Sequence, residues 1–166
     1  MTSVLFLCTG NAARSVMAGV ALAQRRPDVV VDTAGTLCVD GMPISFRTRA
    51  ALNDVSLPVP RHAGKQATLT HIHAADLVIG MAPEHVRWVR REYPAARERT
   101  ATLAYLVQQL THTDESVAAR LQRLSLGHYP LGRWEEVVDP GGGDIAEFVA
   151  CARTVVELVQ QLAAVL

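Results

Sequence analysis

Short apolar runs alternate with helical patterns along this chain. Val4–Leu7 is a continuous apolar run, the pattern of a strand buried on both faces, and Gly10-Asn11 breaks it just after Cys8. From Ala13 to about Arg26, apolar Val16, Met17, Val20, Ala21 and Ala23 recur at helical spacing, and the helix closes before Pro27. Val29–Thr33 reads as a second strand, ended by Ala34-Gly35-Thr36. Pro43–Asn53 reads as a helix, Asp76–Met81 as a third strand and Pro83 to about Glu92 as a third helix. Thr102–Leu106 fits a short fourth strand or the start of a helix equally well. The pattern from 107 to 133 is weaker, with a helix expected at Glu115–Leu124 and a loop through Gly127-His128-Tyr129-Pro130. After the break Asp139-Pro140-Gly141-Gly142-Gly143, Asp144 is a good N-cap for a final helix running toward Leu166.

Alternating strands and helices predict an α/β domain with a parallel sheet, and 166 residues suit one domain spanning 1–166. Ligands of such sheets bind beyond the carboxyl ends of the strands, and the Cys8 loop lies at such an end, directly before a helix. Hydrophobic residues make up 49% and charged residues 19%, which excludes a disordered chain. The formal net charge of zero argues against nucleic acid or an anionic membrane as partner. Arg87, Arg90 and Arg91 fit a solvated helix face. The opening segment is too short for a signal peptide and no apolar run approaches a membrane span, so the expected location is cytoplasmic. Three widely spaced cysteines, Cys8, Cys38 and Cys151, fit neither a disulfide framework nor a zinc site. His71-Ile72-His73 would share a face only on a strand and lacks a third ligand, so no metal is expected. His112 and His128 read as loop residues, Trp88 as packing. Trp134 and Tyr129 read as loop residues too, with a place over the pocket as the alternative.

The loop Cys8-Thr9-Gly10-Asn11-Ala12-Ala13-Arg14-Ser15 carries the chemistry. Gly10 permits unusual dihedrals and Asn11 tolerates the left-handed region, so the loop can curl its backbone N–H groups into one concavity. The following helix adds the positive end of its dipole, and Arg14 offers a planar fork to two oxygens. Together these bind a tetrahedral dianion, and the same field favours Cys8 as a thiolate nucleophile. Ser15 is placed to donate a hydrogen bond to the sulfur. The plain alternative is a small buried Cys ending a strand; the preceding strand, the following helix and the Gly-Asn turn favour the cradle. A phosphocysteine route also needs a proton for the leaving oxygen, and Asp139, between Val137-Val138 and Pro140, is the candidate acid. Alone, an Asp before Pro-Gly is equally an ordinary turn residue.

Val4-Leu5-Phe6-Leu7-Cys8-Thr9-Gly10-Asn11-Ala12-Ala13-Arg14-Ser15 resembles the signature of the low-molecular-weight protein tyrosine phosphatases and of the thioredoxin-coupled arsenate reductases built on the same fold. Thr33-Ala34-Gly35-Thr36, Gly41-Met42-Pro43, His62-Ala63-Gly64-Lys65-Gln66, Asp76–Met81 with Glu84-His85, and Asp139-Pro140 resemble further segments of that family, in order. The resemblance implies a three-layer sandwich with a central four-stranded parallel sheet of order 2-1-3-4 flanked by helices. It implies Cys8 as nucleophile, Arg14 as phosphate clamp, Asp139 as acid and then base, Thr9 to Ser15 as the phosphate-binding loop, and no cofactor. Asn11 would be held by the hydroxyl of Thr33 and by His62. The substrate implied is a phosphorylated protein, phosphotyrosine in particular, or a smaller phosphorylated molecule. The chain departs from the family at Gly141, where a Tyr is usual, and at Leu37-Cys38-Val39-Asp40, where an aromatic or bulky residue is common. It departs further at Val16, Ala13 and Ala12, which stand in place of the Pro, the second Cys and the phosphoarginine-associated Thr of various members. Competing functions are an arsenate reductase using an external thiol, since Cys38 and Cys151 are far apart in sequence, and a catalytically idle phosphate-binding module.

Overall fold

Strand β1 (Ser3–Cys8) takes the centre of the sheet because both its faces are apolar. In the computed structural model, which describes residues 1–166, β1 pairs in parallel with β2 (Val30–Gly35) and β3 (Leu77–Gly80), and β4 (Thr100–Thr102) adds to β3. The order is β2-β1-β3-β4, as the family resemblance implied. Alternate residues of β1 serve two cores. Val4, Phe6 and Cys8 join the larger core with helices α1 (Arg14–Arg25), α2 (Phe46–Asp54), α5 (Leu103–Gln109) and α7 (Ile145–Val165). Leu5 and Leu7 join the smaller one with α3 (Leu69–Ala74) and α4 (Pro83–Glu92). The register pairs Cys8 with Gly35 and Leu7 with Gly80, so the carboxyl ends of three strands meet at one edge of the sheet.

Several elements differ from the expectation, each for a local reason. Thr102 ends β4 and its hydroxyl accepts the Tyr105 N–H, which makes 103–109 a helix and leaves the fourth strand three residues long. The second helix starts at Phe46 rather than Pro43, because Ser45 caps it by accepting the Thr48 N–H. The expected helix at Glu115–Leu124 is α6 (Val117–Arg123), capped by Ser116. His71 and His73 lie on α3 with the buried Ile72 between them. On a helix, residues two apart do not face each other, so the strand geometry imagined for a metal pair does not exist. Trp88 packs edge-on to Tyr93 over the smaller core, with ring centroids 5.3 Å apart.

Arg90 is not part of a solvated face. It lies over the Tyr129 ring and donates to the carbonyls of Leu126 and Tyr129, pinning that loop to α4. The expectation about apolar runs also needs correction, because α7 is long and apolar enough by length and composition to cross a membrane. Its apolar side chains have another use. Phe148, Cys151, Ala152, Val155, Val159 and Leu162 form one buried stripe in the larger core, against α1, α2 and α5.

The end of β2 approaches the Cys8 loop so closely that only glycine fits at position 35. A Cβ there would lie 2.5 Å from the Thr9 carbonyl oxygen and 2.7 Å from the Cys38 Cβ, and the first of these is backbone that cannot rotate away. Gly35→Ala is therefore expected to destabilise the protein by about 1–3 kcal/mol, the usual cost of forced overpacking. Urea denaturation of the two proteins checks this, and equal stability would show that the loop yields without cost.

Candidate active site

The loop between β1 and α1 is held by its carbonyls and leaves its N–H groups free. The Cys8 and Thr9 carbonyls accept from the N–H groups of Thr36 and Leu37, 2.9 and 3.0 Å away. The Asn11 carbonyl accepts from His62 Nε2 at 2.7 Å, and the Ala12 carbonyl from the Thr48 hydroxyl at 2.9 Å. The N–H groups of Gly10, Asn11, Ala12 and Ala13 donate to nothing in the protein. Helix α1 begins at Arg14 with no side-chain cap and no acidic residue in its first turn, so its own N-terminal donors add to the set. A ring of unused donors at a helix N-terminus is an anion cradle.

Asn11 sets the shape of this loop. It takes φ 50°, the left-handed conformation, while Gly10, expected to share that strain, does not. Asn11 is fully buried; its Oδ1 accepts the Lys65 N–H at 3.0 Å and its Nδ2 donates to Ser15 Oγ at 3.0 Å. Having accepted from Asn11, Ser15 has its own proton for Cys8 Sγ, 3.0 Å away. Thr33, expected to hold Asn11, makes no hydrogen bond to it. Its methyl group faces Gly19 of α1, and the backbone N–H of Lys65 takes the place assigned to its hydroxyl. His62 stands where the resemblance placed it, although its partner is the Asn11 carbonyl.

Arg14 is buried and its fork points at the loop that carries Asp139. Nη1 donates to the Val137 carbonyl at 3.1 Å, and Nη2 pairs with Asp139 Oδ2 at 2.6 Å. The other Asp139 oxygen accepts the Gly141 N–H at 2.9 Å, and Val137 N–H binds the Met81 carbonyl at the end of β3. The Asp139 loop thus hangs between the sheet edge and the arginine. A buried carboxylate that the sequence did not flag supports it from behind. Glu135 accepts from the Thr102 hydroxyl at 2.5 Å, the Tyr129 hydroxyl at 3.1 Å and the Gly132 N–H at 2.6 Å. Asp40 and Asp144 are engaged elsewhere, Asp40 accepting the Gln66 N–H and Asp144 capping α7.

The cleft above the cradle measures about 350 Å³ and contains Cys8, Thr9, Gly10, Ala12, Ala13, Arg14 and Asp139. Its remaining walls are Ser45, Arg47 and Thr48 of the α2 start, Gly141, and Phe148 of α7. Neither Tyr129 nor Trp134 is among them. Tyr129 is buried in the Glu135 network and stacked on Tyr105, and Trp134 folds against Gly132. The aromatic wall is Phe148, hidden in the sequence within the apolar stripe of the last helix. Leu37, Cys38 and Val39 line none of the cleft. All three cysteines are free. Burial pushes the Cys151 thiol up to about 11, and burial with the nearby Asp40 and Cys8 pushes the Cys38 thiol up as well.

A family model described as "Low molecular weight phosphotyrosine protein phosphatase" matches residues 3–166. The protein-arginine-phosphatase of Geobacillus stearothermophilus is 28% identical over 161 residues, covering 96% of this chain and 93% of that one. The low molecular weight protein-tyrosine-phosphatase Etp of Escherichia coli K12 is 28% identical over 107 residues, covering 64% and 72%. Among solved structures, the YwlE arginine phosphatase from Geobacillus stearothermophilus superposes with a TM-score of 0.80 at 27% identity, over 99% of this chain and 92% of that one.

His85 sits beneath the cradle, 1% exposed, with Nε2 3.1 Å from the Thr9 hydroxyl and Nδ1 without a partner. Burial pushes its pKa down to about 3; the positive charge of Arg14 adds to this and Asp139 opposes it. The neutral ring makes no ion pair with Glu84, although the carboxylate oxygen lies 3.4 Å away. An unfolded chain binds this proton near pH 6.5, the folded chain only near 3. Stability from His85 is therefore complete above about pH 6.5 and is lost as pH falls toward 3, by up to about 1.4 kcal/mol per pH unit. Unfolding free energies measured from pH 7 to 4 should fall more steeply in the wild type than in His85→Gln. Parallel curves would exclude His85 as the cause.

Proposed function

This chain belongs to the low molecular weight phosphotyrosine protein phosphatase family, and on that premise we propose that its phosphatase reaction runs through a phosphocysteine on Cys8. The observation that carries the reading is that Cys8, with Ser15 at hydrogen-bond distance, shares one cleft with Arg14 and with loop residues whose N–H groups have no partner in the protein. A phosphoryl group seated in the ring has three oxygens to share among those donors and the Arg14 fork. Its binding competes with Asp139 for Nη2 and frees the exposed carboxyl to turn toward the leaving oxygen. Sγ then attacks phosphorus, the ester P–O bond breaks, and the proton of Asp139 goes to the departing oxygen. In the second step the Asp139 carboxylate takes a proton from water, the water oxygen bonds to phosphorus, and the P–S bond breaks to return the thiolate. Ser15 steadies that thiolate as leaving group.

The reacting groups see only the phosphoryl end of the substrate. Relatives of this chain named for arginine and for tyrosine share the family, so membership fixes the phosphoryl chemistry more tightly than the side chain that carries it. A phosphorylated protein is the substrate class we assign. Gly141 leaves one wall of the cleft without a ring, which weakens the case for phosphotyrosine as the preferred residue. Cys38 and Cys151 are both held toward the thiol, so an arsenate reductase would have to draw an external thiol to resolve the arsenic adduct. An idle binding module would have no use for a carboxyl poised at the mouth of the cradle.

Cys8→Ser should abolish turnover of p-nitrophenyl phosphate and still bind vanadate, because the donors and Arg14 remain; substantial residual turnover would sink the phosphocysteine. Arg14→Lys should lose about 10²-fold or more in kcat, since a point ammonium cannot replace the planar fork. Asp139→Asn should slow an alkyl or tyrosyl phosphate, whose leaving groups need a proton, more than p-nitrophenyl phosphate. Single-turnover rates on both substrates decide it, and equal slowing would point to another acid.

A further inference from the structure

Outside the loop itself, the cleft has two charged walls, Asp139 and Arg47. Asp139 is taken up by Arg14. Arg47 is half-buried and makes no ion pair and no hydrogen bond with the protein, its guanidinium resting 5.3 Å from the centre of the exposed Phe46 ring. Contact of this kind at an exposed site is weak and leaves the charge available to a partner. The position of Arg47 is nonetheless fixed. It is the second residue of α2, between Ser45, which caps the helix, and Thr48, whose hydroxyl is bonded to the Ala12 carbonyl of the cradle. Across the cleft Gly141 presents no side chain, and Phe148 supplies apolar surface. One wall of the cleft is therefore cationic and unpaired, one is open and one is apolar.

We propose that Arg47 selects substrates in which a carboxylate stands beside the phosphorylated group, such as a phosphorylated residue with an acidic neighbour. The proposal rests on the reading of the loop as the phosphoryl site. Arg14 and the loop donors satisfy the phosphoryl oxygens, so an additional fixed cation at the rim acts on whatever the substrate carries next to them. The planar fork of arginine suits a carboxylate in two-point contact. The open side at Gly141 leaves room for the flanking chain that brings the carboxylate in.

The test compares p-nitrophenyl phosphate with 3-carboxy-4-nitrophenyl phosphate, whose carboxylate is too far from the ester to assist the reaction itself. The reading is the ratio of kcat/KM for the carboxylated to the plain ester, in which differences of leaving group cancel between wild type and variants. Arg47→Gln should lower this ratio about two- to fivefold, the scale of a partly exposed charge pair. Arg47→Glu should lower it further and Arg47→Lys should keep most of it. The wild-type ratio should also shrink with added salt. An unchanged ratio in Arg47→Gln overturns the proposal. Equal loss on both esters overturns it too, because it makes Arg47 a further clamp on the phosphoryl group. If the wild type turns over neither ester, the phosphatase reading itself fails and takes this proposal with it.

Discussion

The site depends on one buried amide. Asn11 is held in a left-handed conformation by hydrogen bonds at both ends of its side chain and at its carbonyl. That conformation costs on the order of 1 kcal/mol or more for a residue with a Cβ, and it persists only because the surroundings fix it. The same bonds do three jobs. They hold the loop while its N–H groups stay unpaired, they join the loop to the 62–66 segment, and they leave the Ser15 proton for Cys8. Burial and complete satisfaction make the arrangement rigid before any substrate arrives, which is the condition for donors to act on developing charge without reorganising.

What could be read from the sequence was local. The Cys8–Ser15 loop is continuous in the chain, so its spacing carries the geometry, and β1 declares its central place by being apolar on both faces. The order of the sheet came from the family resemblance rather than from pattern. The partner of Asn11 was not legible. A backbone N–H, that of Lys65, does the work expected of the Thr33 hydroxyl, and a backbone donor leaves no mark in the sequence. Phe148 was hidden for the opposite reason: it is one apolar residue in a helical stripe full of them, and only the packing of α7 shows that its ring reaches the cleft. Arg90 looked solvated because its spacing matched other charged residues on α4, while its real partners are carbonyls more than thirty residues away. Glu135 was passed over because a carboxylate in a loop is ordinary until its burial is known.

The Asp139 loop illustrates how a segment is held without secondary structure. Residues 137 to 141 make hydrogen bonds to the end of β3, to Arg14 and within the loop, and the Glu135 network anchors the approach. Every one of these contacts lies on the carboxyl side of the sheet. The strands therefore serve the site in two ways, by delivering Cys8 and by offering the free carbonyl of Met81 as a peg for Asp139's segment.

Some of the cleft walls touch the cradle and some do not. The loop is held by α1, the 62–66 strap and Thr48 of α2, whereas the side chains of Arg47 on α2 and Phe148 on α7 make no hydrogen bond to it and Gly141 has no side chain. Position 47 or 148 can change identity while Asn11, Ser15 and Cys8 keep all their partners. A change at either position therefore alters the surroundings of the cleft without removing a hydrogen bond from the loop.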